Sequence, residues 1–182
     1  MVADPAWARR AADLAAQLVA RLGPAALRVE HIGSTSIPAM SAKDLLDMQV
    51  SVADLDAAAA SFAGPLSDLG FEEHPYRQDH VQAGSGDDPG RWVKRFFSRR
   101  AHRDGDVNLH VRLAGSPNER LALLFRDWFR AHPLAVPAYA QFKQMLAEAV
   151  TDGGVYAEVK DPVVDLIIVT AEEWAATTGW RP

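Results

Sequence analysis

Apolar residues recur along this chain with two different periods, and the switches between them divide it into elements. Trp7, Ala11, Leu14, Leu18 and Leu22 follow one another at three- and four-residue intervals, the spacing that places side chains on one face of a helix. Asp4-Pro5 ahead of them supplies a cap and a first-turn proline, and Gly23-Pro24 ends the run. The period then shortens. Residues 26–32 (ALRVEHI) read as a strand entering Gly33, and Leu46, Met48, Val50 and Val52 alternate with Asp47, Gln49 and Ser51, which predicts a second strand with one buried face and one polar face.

Asp54 is placed to cap a helix over 55–69 lined by Leu55, Ala59, Phe62, Leu66 and Leu69, with Gly64-Pro65 expected to kink or split it and Gly70 to stop it. Residues 75–90 hold three glycines and two prolines and little periodic apolar content, the pattern of a mobile surface loop beside a site. A strand-like run, RWVKRFFSRR, carries Trp92, Phe96 and Ser98. Over 106–113, Asp106, Asn108, His110 and Arg112 alternate with Val107, Leu109, Val111 and Leu113, so four polar side chains share one face. Ser116-Pro117-Asn118-Glu119 has the form of a capping box. It opens a helix carrying Leu121, Leu124, Phe125, Trp128 and Phe129 that closes at His132-Pro133. Two further helices are expected over about 136–150 and about 161–177, the last opened by Asp161-Pro162.

This order, a strand-containing core with helices for the last third, predicts an α+β fold in the wider α/β class: a mixed sheet flanked by helices rather than repeated βαβ units. At 182 residues one domain, 1–182, is expected. Hydrophobic residues make up 48% of the chain and five are Trp, enough to offset the entropy of folding. Cysteine is absent, which removes disulfides, thiolate metal ligands and thiol nucleophiles. Without a signal-like N-terminus or a run approaching the roughly 20 apolar residues that span a bilayer, the expected location is cytoplasmic, with no membrane partner. A net charge of −5 disfavours extended nucleic acid, while leaving room for a local basic cluster that holds a phosphate-bearing small molecule.

The chemistry concentrates near Gly33. A Gly-Ser turn leaving a strand lets backbone amides and the Ser34 and Thr35 hydroxyls approach phosphate oxygens; the same residues also suit a plain capped turn. Asp47 follows on the polar face of its strand, where a carboxylate can hold magnesium between protein and phosphates. Asp44 falls out of phase with it, and Asp47's neighbour on the same face is Gln49, an amide. His110 shares its face with Asn108 and Arg112 and is a candidate for metal ligation or proton exchange, or else a hydrogen-bonded strand histidine; His31 has the same two readings. Lys43, Lys143 and Lys160, with Lys94 and Arg95, are candidates to neutralise phosphate. Arg126 and Asp127 suit a local ion pair. The chain has no GxxxxGK[ST], HExxH or GxSxG sequence, which removes P-loop kinase, zincin and α/β-hydrolase readings.

The segment EHIGSTSIPAM, continuing SAKDLLDMQV, resembles the signature of the GrpB family, and the resemblance runs on through VNLHVRL, ALLFRDWFRAHP and the segments 139–143 and 156–160. KDLLDMQVSVADLD, NLHVRLAGSPNERLALLFRDWF and the closing WRP look most like the GrpB-like domain fused behind the kinase in actinobacterial dephospho-coenzyme A kinases. The resemblance implies a nucleotidyltransferase-like fold, with Gly33 and Ser34 at the turn that holds triphosphate and Asp47 as the first metal-binding acid. Gln49 stands where the second acid is expected, and His110 or Asn108 where the third is. Two functions stand ahead of a third, a structural or protein-interaction domain without a ligand, which would leave the polar stripes on two strands without a role. One is a nucleotide-handling enzyme using Asp47, His110 and one magnesium ion to transfer a nucleotidyl group to an acceptor. The other is a non-catalytic module that binds a nucleotide or coenzyme, or assists a kinase-domain partner in folding or regulation.

Overall fold

The computed structural model describes residues 3–100, 102 and 105–182. Helix α1 (Ala6–Leu22) leads into strand β1 (Arg28–Ile32), a 3-10 turn over Ser34–Ser36 and strand β2 (Leu45–Val52). Helix α2 (Leu55–Asp68), β3 (Glu72–His74), β4 (Lys94–Arg99) and β5 (Asp106–Leu113) follow. The chain ends in α3 (Pro117–Ala131), α4 (Val136–Ala149) and α5 (Gly153–Thr178). The strands form one five-stranded sheet in the order β1-β2-β5-β4-β3. β2 and β5 run parallel at its centre, and the other neighbouring pairs are antiparallel. The expected α+β architecture, a mixed sheet with a helical C-terminal third, is what the chain adopts.

The two faces of the sheet are built differently. Leu46, Met48, Val50 and Val52 of β2, Val107, Leu109 and Val111 of β5, and Phe97 of β4 meet the stripes of α1 and α2 in one apolar cluster that includes Trp7, Leu14, Leu18, Phe62 and Leu66. Each such fully buried aliphatic or aromatic side chain contributes about 1.5–3 kcal/mol. The opposite face carries the polar alternates and lies under α3, which packs on β1, β5 and α5. Beyond it, Ile37 and Met40 join Phe129, Val136 and Tyr139 in a second apolar cluster that ties the 33–44 connection to α3, α4 and α5.

Several local expectations change once these elements pack. β2 has the expected polar face, but that face is itself buried: Gln49 is 0% and Ser51 1% exposed, because Glu119 of α3 lies over it. α2 runs through Pro65 as one helix; the proline, which has no amide hydrogen for the Ser61 carbonyl, falls in the last turn, so the helix interior before it stays intact. Its cap is as expected, Asp54 accepting from the amides of Asp56 and Ala57 at 2.8 and 2.9 Å. The final helix starts at Gly153, capped by Asp152, and continues past Pro162; tertiary packing of Ile168, Ala171 and Ala175 outweighs the break that Asp161-Pro162 suggests. The capping box at Ser116 does not form. Ser116 Oγ donates to the Leu113 carbonyl at 2.6 Å, and Glu119 turns instead to the sheet. Residues 75–90 are irregular, as expected, but they are pinned rather than loose. Asp79 reaches into the polar face of the sheet, and His80 meets Asp165 of α5 at 2.9 Å.

Candidate functional site

Gly33 ends β1 with φ +67°, a left-handed conformation that glycine adopts without steric cost. A second constraint acts at the same position, since any Cβ there would overlap the Asp47 carboxylate. The register explains why: Ile32 pairs with Asp47 across β1 and β2, so the chain turns directly over that carboxylate. The turn is held by Ser36 Oγ donating to the Gly33 carbonyl at 2.6 Å and by Arg130 of α3, whose Nε and Nη2 donate to the Ser36 carbonyl at 3.1 and 2.9 Å.

Lys143 of α4 reaches the same turn. Its Nζ donates to Ser34 Oγ at 2.8 Å and to the Ser41 carbonyl at 2.9 Å. Burial pushes this ammonium down to about 8, and the charge of Lys160 on α5 adds to the effect while Asp47 opposes it. Asp47 feels Lys160 too. Burial works to raise its carboxyl, but the His110 ring, the Asn108 amide and the Lys160 charge outweigh this and hold it below its usual value. Ser34, Asp47, Lys143 and Lys160 therefore share one electrostatic neighbourhood around the Gly33 turn. Lys43 Nζ lies 5.6 Å from the centre of the Tyr156 ring, and Thr35, itself buried, pairs its hydroxyl with His31 Nε2 at 2.9 Å. His31 is thus a structural partner of the turn, pushed down to about 4 by burial, with Arg130 and Arg126 adding and Asp47 opposing.

His110 faces Asp47, Nε2 to Oδ1, at 3.9 Å, and Asn108 Nδ2 donates to the same oxygen at 2.8 Å. The three sequence-chosen polar strand residues are therefore together at one end of the sheet. The other edge of the imidazole decides its role. Nδ1 lies 3.3 Å from both Lys94 Nζ and Arg112 Nη2, groups that only donate. Nδ1 must accept, so the ring proton sits on Nε2 and points towards Asp47. Burial, with Arg112 and Lys94 adding, pushes the ring down to about 4, so it is neutral at pH 7. Ligating a metal through Nε2 would require moving that proton to Nδ1, against two cations.

The magnesium expected at this point would thus have Asp47 as its one protein carboxylate. Among the described residues no cluster of three His, Cys, Asp or Glu side chains is arranged to hold a metal ion. The donor set does not fit a cation held by side chains alone. Gln49, where the resemblance places a second acid, is bound on both ends of its amide: Oε1 accepts from Arg112 at 2.5 Å and Nε2 donates to the Glu119 carbonyl at 3.2 Å. A carboxylate has no hydrogen to offer that carbonyl, so the position requires an amide.

Two acids that the sequence pattern did not place on this face balance its cations. Asp79, from the 75–90 segment, accepts from Arg112 Nε at 2.8 Å, from Asn118 Nδ2 at 3.0 Å and from Lys94 Nζ at 2.5 Å. Burial would raise its carboxyl, yet Arg112 and Lys94 hold it far below the usual range. Glu119 accepts from Ser51 Oγ at 2.5 Å, from the Gly115 amide at 3.1 Å and from Arg28. Lys94 and Arg95, candidates for phosphate, are instead committed to Asp79 and Asp56. Arg126 and Asp127 do pair, at 2.7 Å, and Arg126 also reaches Glu30 at 2.7 Å.

A five-stranded mixed sheet with α1 and α2 on its apolar face, and a Gly-Ser turn folded over an aspartate on the other, defines the class of this domain. A family model described as GrpB protein matches residues 1–169, and the chain belongs to the GrpB family. Among its relatives is a protein named dephospho-CoA kinase from Mycobacterium leprae, 35% identical over 100% of this chain and 48% of that protein. The chain thus spans about half the length of such relatives. The UPF0157 protein BH1888 of Halalkalibacterium halodurans is 31% identical over 80% of this chain and 67% of its own length. A crystal structure of the conserved protein GrpB from Enterococcus faecalis superposes with a TM-score of 0.75 at 25% identity, covering 96% of this chain and 98% of that one. No helix among the described residues is long and apolar enough to cross a membrane.

Proposed function

We propose that this domain binds a phosphate-bearing small molecule of the nucleotide class at the Gly33 turn, with Ser34, Lys143 and Lys160 as the anion-holding groups. The observation that carries the reading is Lys143: a buried ammonium, 2.8 Å from Ser34 Oγ, whose charge is disfavoured by burial and by Lys160. An anion arriving there relieves both penalties, since a charge-assisted contact to phosphate restores what desolvation removed. Asp47 lies against the turn, and its charge favours the protonated form of Lys143 before a ligand arrives. Binding rather than nucleotidyl transfer is the reading these residues support, because the single carboxylate and the committed Gln49 leave no pair of acids for two-metal chemistry. The similarity to part of proteins named dephospho-CoA kinase is consistent with such a binding module.

Thermal unfolding with inorganic tripolyphosphate and with ATP tests this, since a ligand of the native state raises the midpoint. Both are expected to raise it, with or without magnesium, and Lys143→Met and Ser34→Ala are each expected to abolish most of the shift. The affinity is expected to fall as pH rises past about 8, where Lys143 loses its proton. Shifts that survive both substitutions unchanged rule the reading out.

A further inference from the structure

The same sheet face carries, two strands from Asp47, a group of rings that the phosphate site does not use. Strand register places Gln49, His110, Phe96 and His74 in one row across β2, β5, β4 and β3, all pointing to the side of Asp47. Phe96 lies 5.0 Å from the His110 ring and 5.4 Å from the His74 ring, centre to centre. Tyr76, just past β3, stands edge-on to Phe96 at 6.3 Å and 69°. This row is not finished like the apolar core: Tyr76 is 66% exposed, and among the described residues it is the one aromatic side chain left so open. Lys94 Nζ supports Phe96 from within, 5.2 Å from the ring centre, and His74 is fixed by a 2.6 Å contact from Nε2 to Ser98 Oγ. The rings are therefore held in place, with Phe96 and His74 half-buried and Tyr76 open to solvent.

We infer that Phe96, Tyr76 and His74 form a stacking shelf for the planar ring of the ligand whose phosphates lie at Ser34 and Lys143. The inference rests on the phosphate reading above. Its support is the continuity of one surface. Neighbouring strands are about 4.8 Å apart, so the shelf on β4 lies about 10 Å from the strand of Asp47, and His110 bridges the interval by touching both Phe96 and Asp47. A nucleotide is the chemistry that presents a planar π face at one end and a phosphate chain at the other. Stacking on aromatic side chains tolerates any base, because every base has such a face, so the shelf selects for a ring rather than for a particular base. Tyr76, the exposed member, closes over the outer edge of the ring.

Calorimetric titration of the full chain with ATP, GTP and inorganic tripolyphosphate separates the two claims. The shelf requires ATP and GTP to bind at least tenfold more tightly than tripolyphosphate. Phe96→Ala and Tyr76→Ala are expected to bring both nucleotides down to the tripolyphosphate affinity without changing tripolyphosphate binding itself. Tyr76→Trp supplies an independent readout at an exposed position that folding does not depend on: the introduced fluorescence is expected to be quenched by ATP and unaffected by tripolyphosphate. Equal affinities for all three ligands, or equal losses for all three in the alanine variants, overturn the shelf while leaving the phosphate site standing. Absence of binding by any of them overturns both.

Discussion

The two faces of the central sheet come from alternate residues of the same strands, yet they are held by opposite physics. Against α1 and α2, Met48, Val50, Leu109 and Val111 bury apolar surface in a cluster of many members, where the loss of one side chain leaves the rest in contact. On the other face, Gln49, Ser51, Arg112 and Lys94 are buried too, but each depends on a named partner: Glu119 or Asp79. Non-directional burial degrades gradually, whereas a buried polar network fails when one member leaves the others unpaired. A face made in the second way is costly as a scaffold. What it provides is a fixed arrangement of charges and tautomers, and the His110 proton pointing at Asp47 is its clearest product.

The sharpest way to break this comparison is at Asp79. Asp79→Ala leaves Lys94 and Arg112 buried without their carboxylate and is expected to destabilise by about 3–5 kcal/mol, measured by urea unfolding. Phe62→Ala, which empties the largest buried position of α2, is expected to cost a similar 3–5 kcal/mol. The two differ in their salt response, with only the Asp79 variant's loss expected to change between low and high ionic strength. A substantially smaller cost at Asp79 would mean the polar face is a passive surface.

The next effect is pH dependence. His31 and His110 are both pushed down to about 4 from an ordinary 6.5. Between those values the unfolded chain binds protons that the folded chain refuses, so stability falls as pH falls through this window. The loss is expected to be on the order of a few kcal/mol, and His110→Gln is expected to remove about half of the slope between pH 4.5 and 7. Apolar-face variants such as Phe62→Ala should keep the full slope. A slope unchanged in His110→Gln would show that the ring is not held neutral.

The smallest effect is local. Asp54→Ala removes the cap that starts α2 over the apolar face and is expected to cost about 1 kcal/mol, or about 2–4 °C in the unfolding midpoint, with no change in pH slope or ligand response.

Much of the fold was legible in the residue pattern because period alone carries it. The strand over Asp106–Leu113 and the helix ending at Gly23 follow from alternation and stop signals that act within a few residues. The turn at Gly33 was legible for the same reason, and its aspartate from the alternation of the strand that follows. What misled was local chemistry with a distant partner available. Glu119 has the spacing of a capping-box residue, but Arg28 and Ser51, far away in sequence, outbid the helix terminus. Asp79 sits in a stretch of glycines, prolines and acids where nothing local separates it from Asp87 or Asp88; only the cations of β4 and β5 select it.

The sequence by itself determined the order of elements, the apolar face of the sheet and the Gly-Ser turn, because these depend on interactions between residues close along the chain or on the period of burial. Tertiary structure alone decided which side chains are charged, neutral or free to meet a ligand. The donors that fix the His110 proton come from β4 and β5, the lysines at Ser34 and Asp47 from α4 and α5, and the ring beside Phe96 from just beyond β3. Protonation and hydrogen-bond roles are set by whatever lies within a few ångströms in space, and the sequence leaves that neighbourhood open until the sheet and helices close upon it.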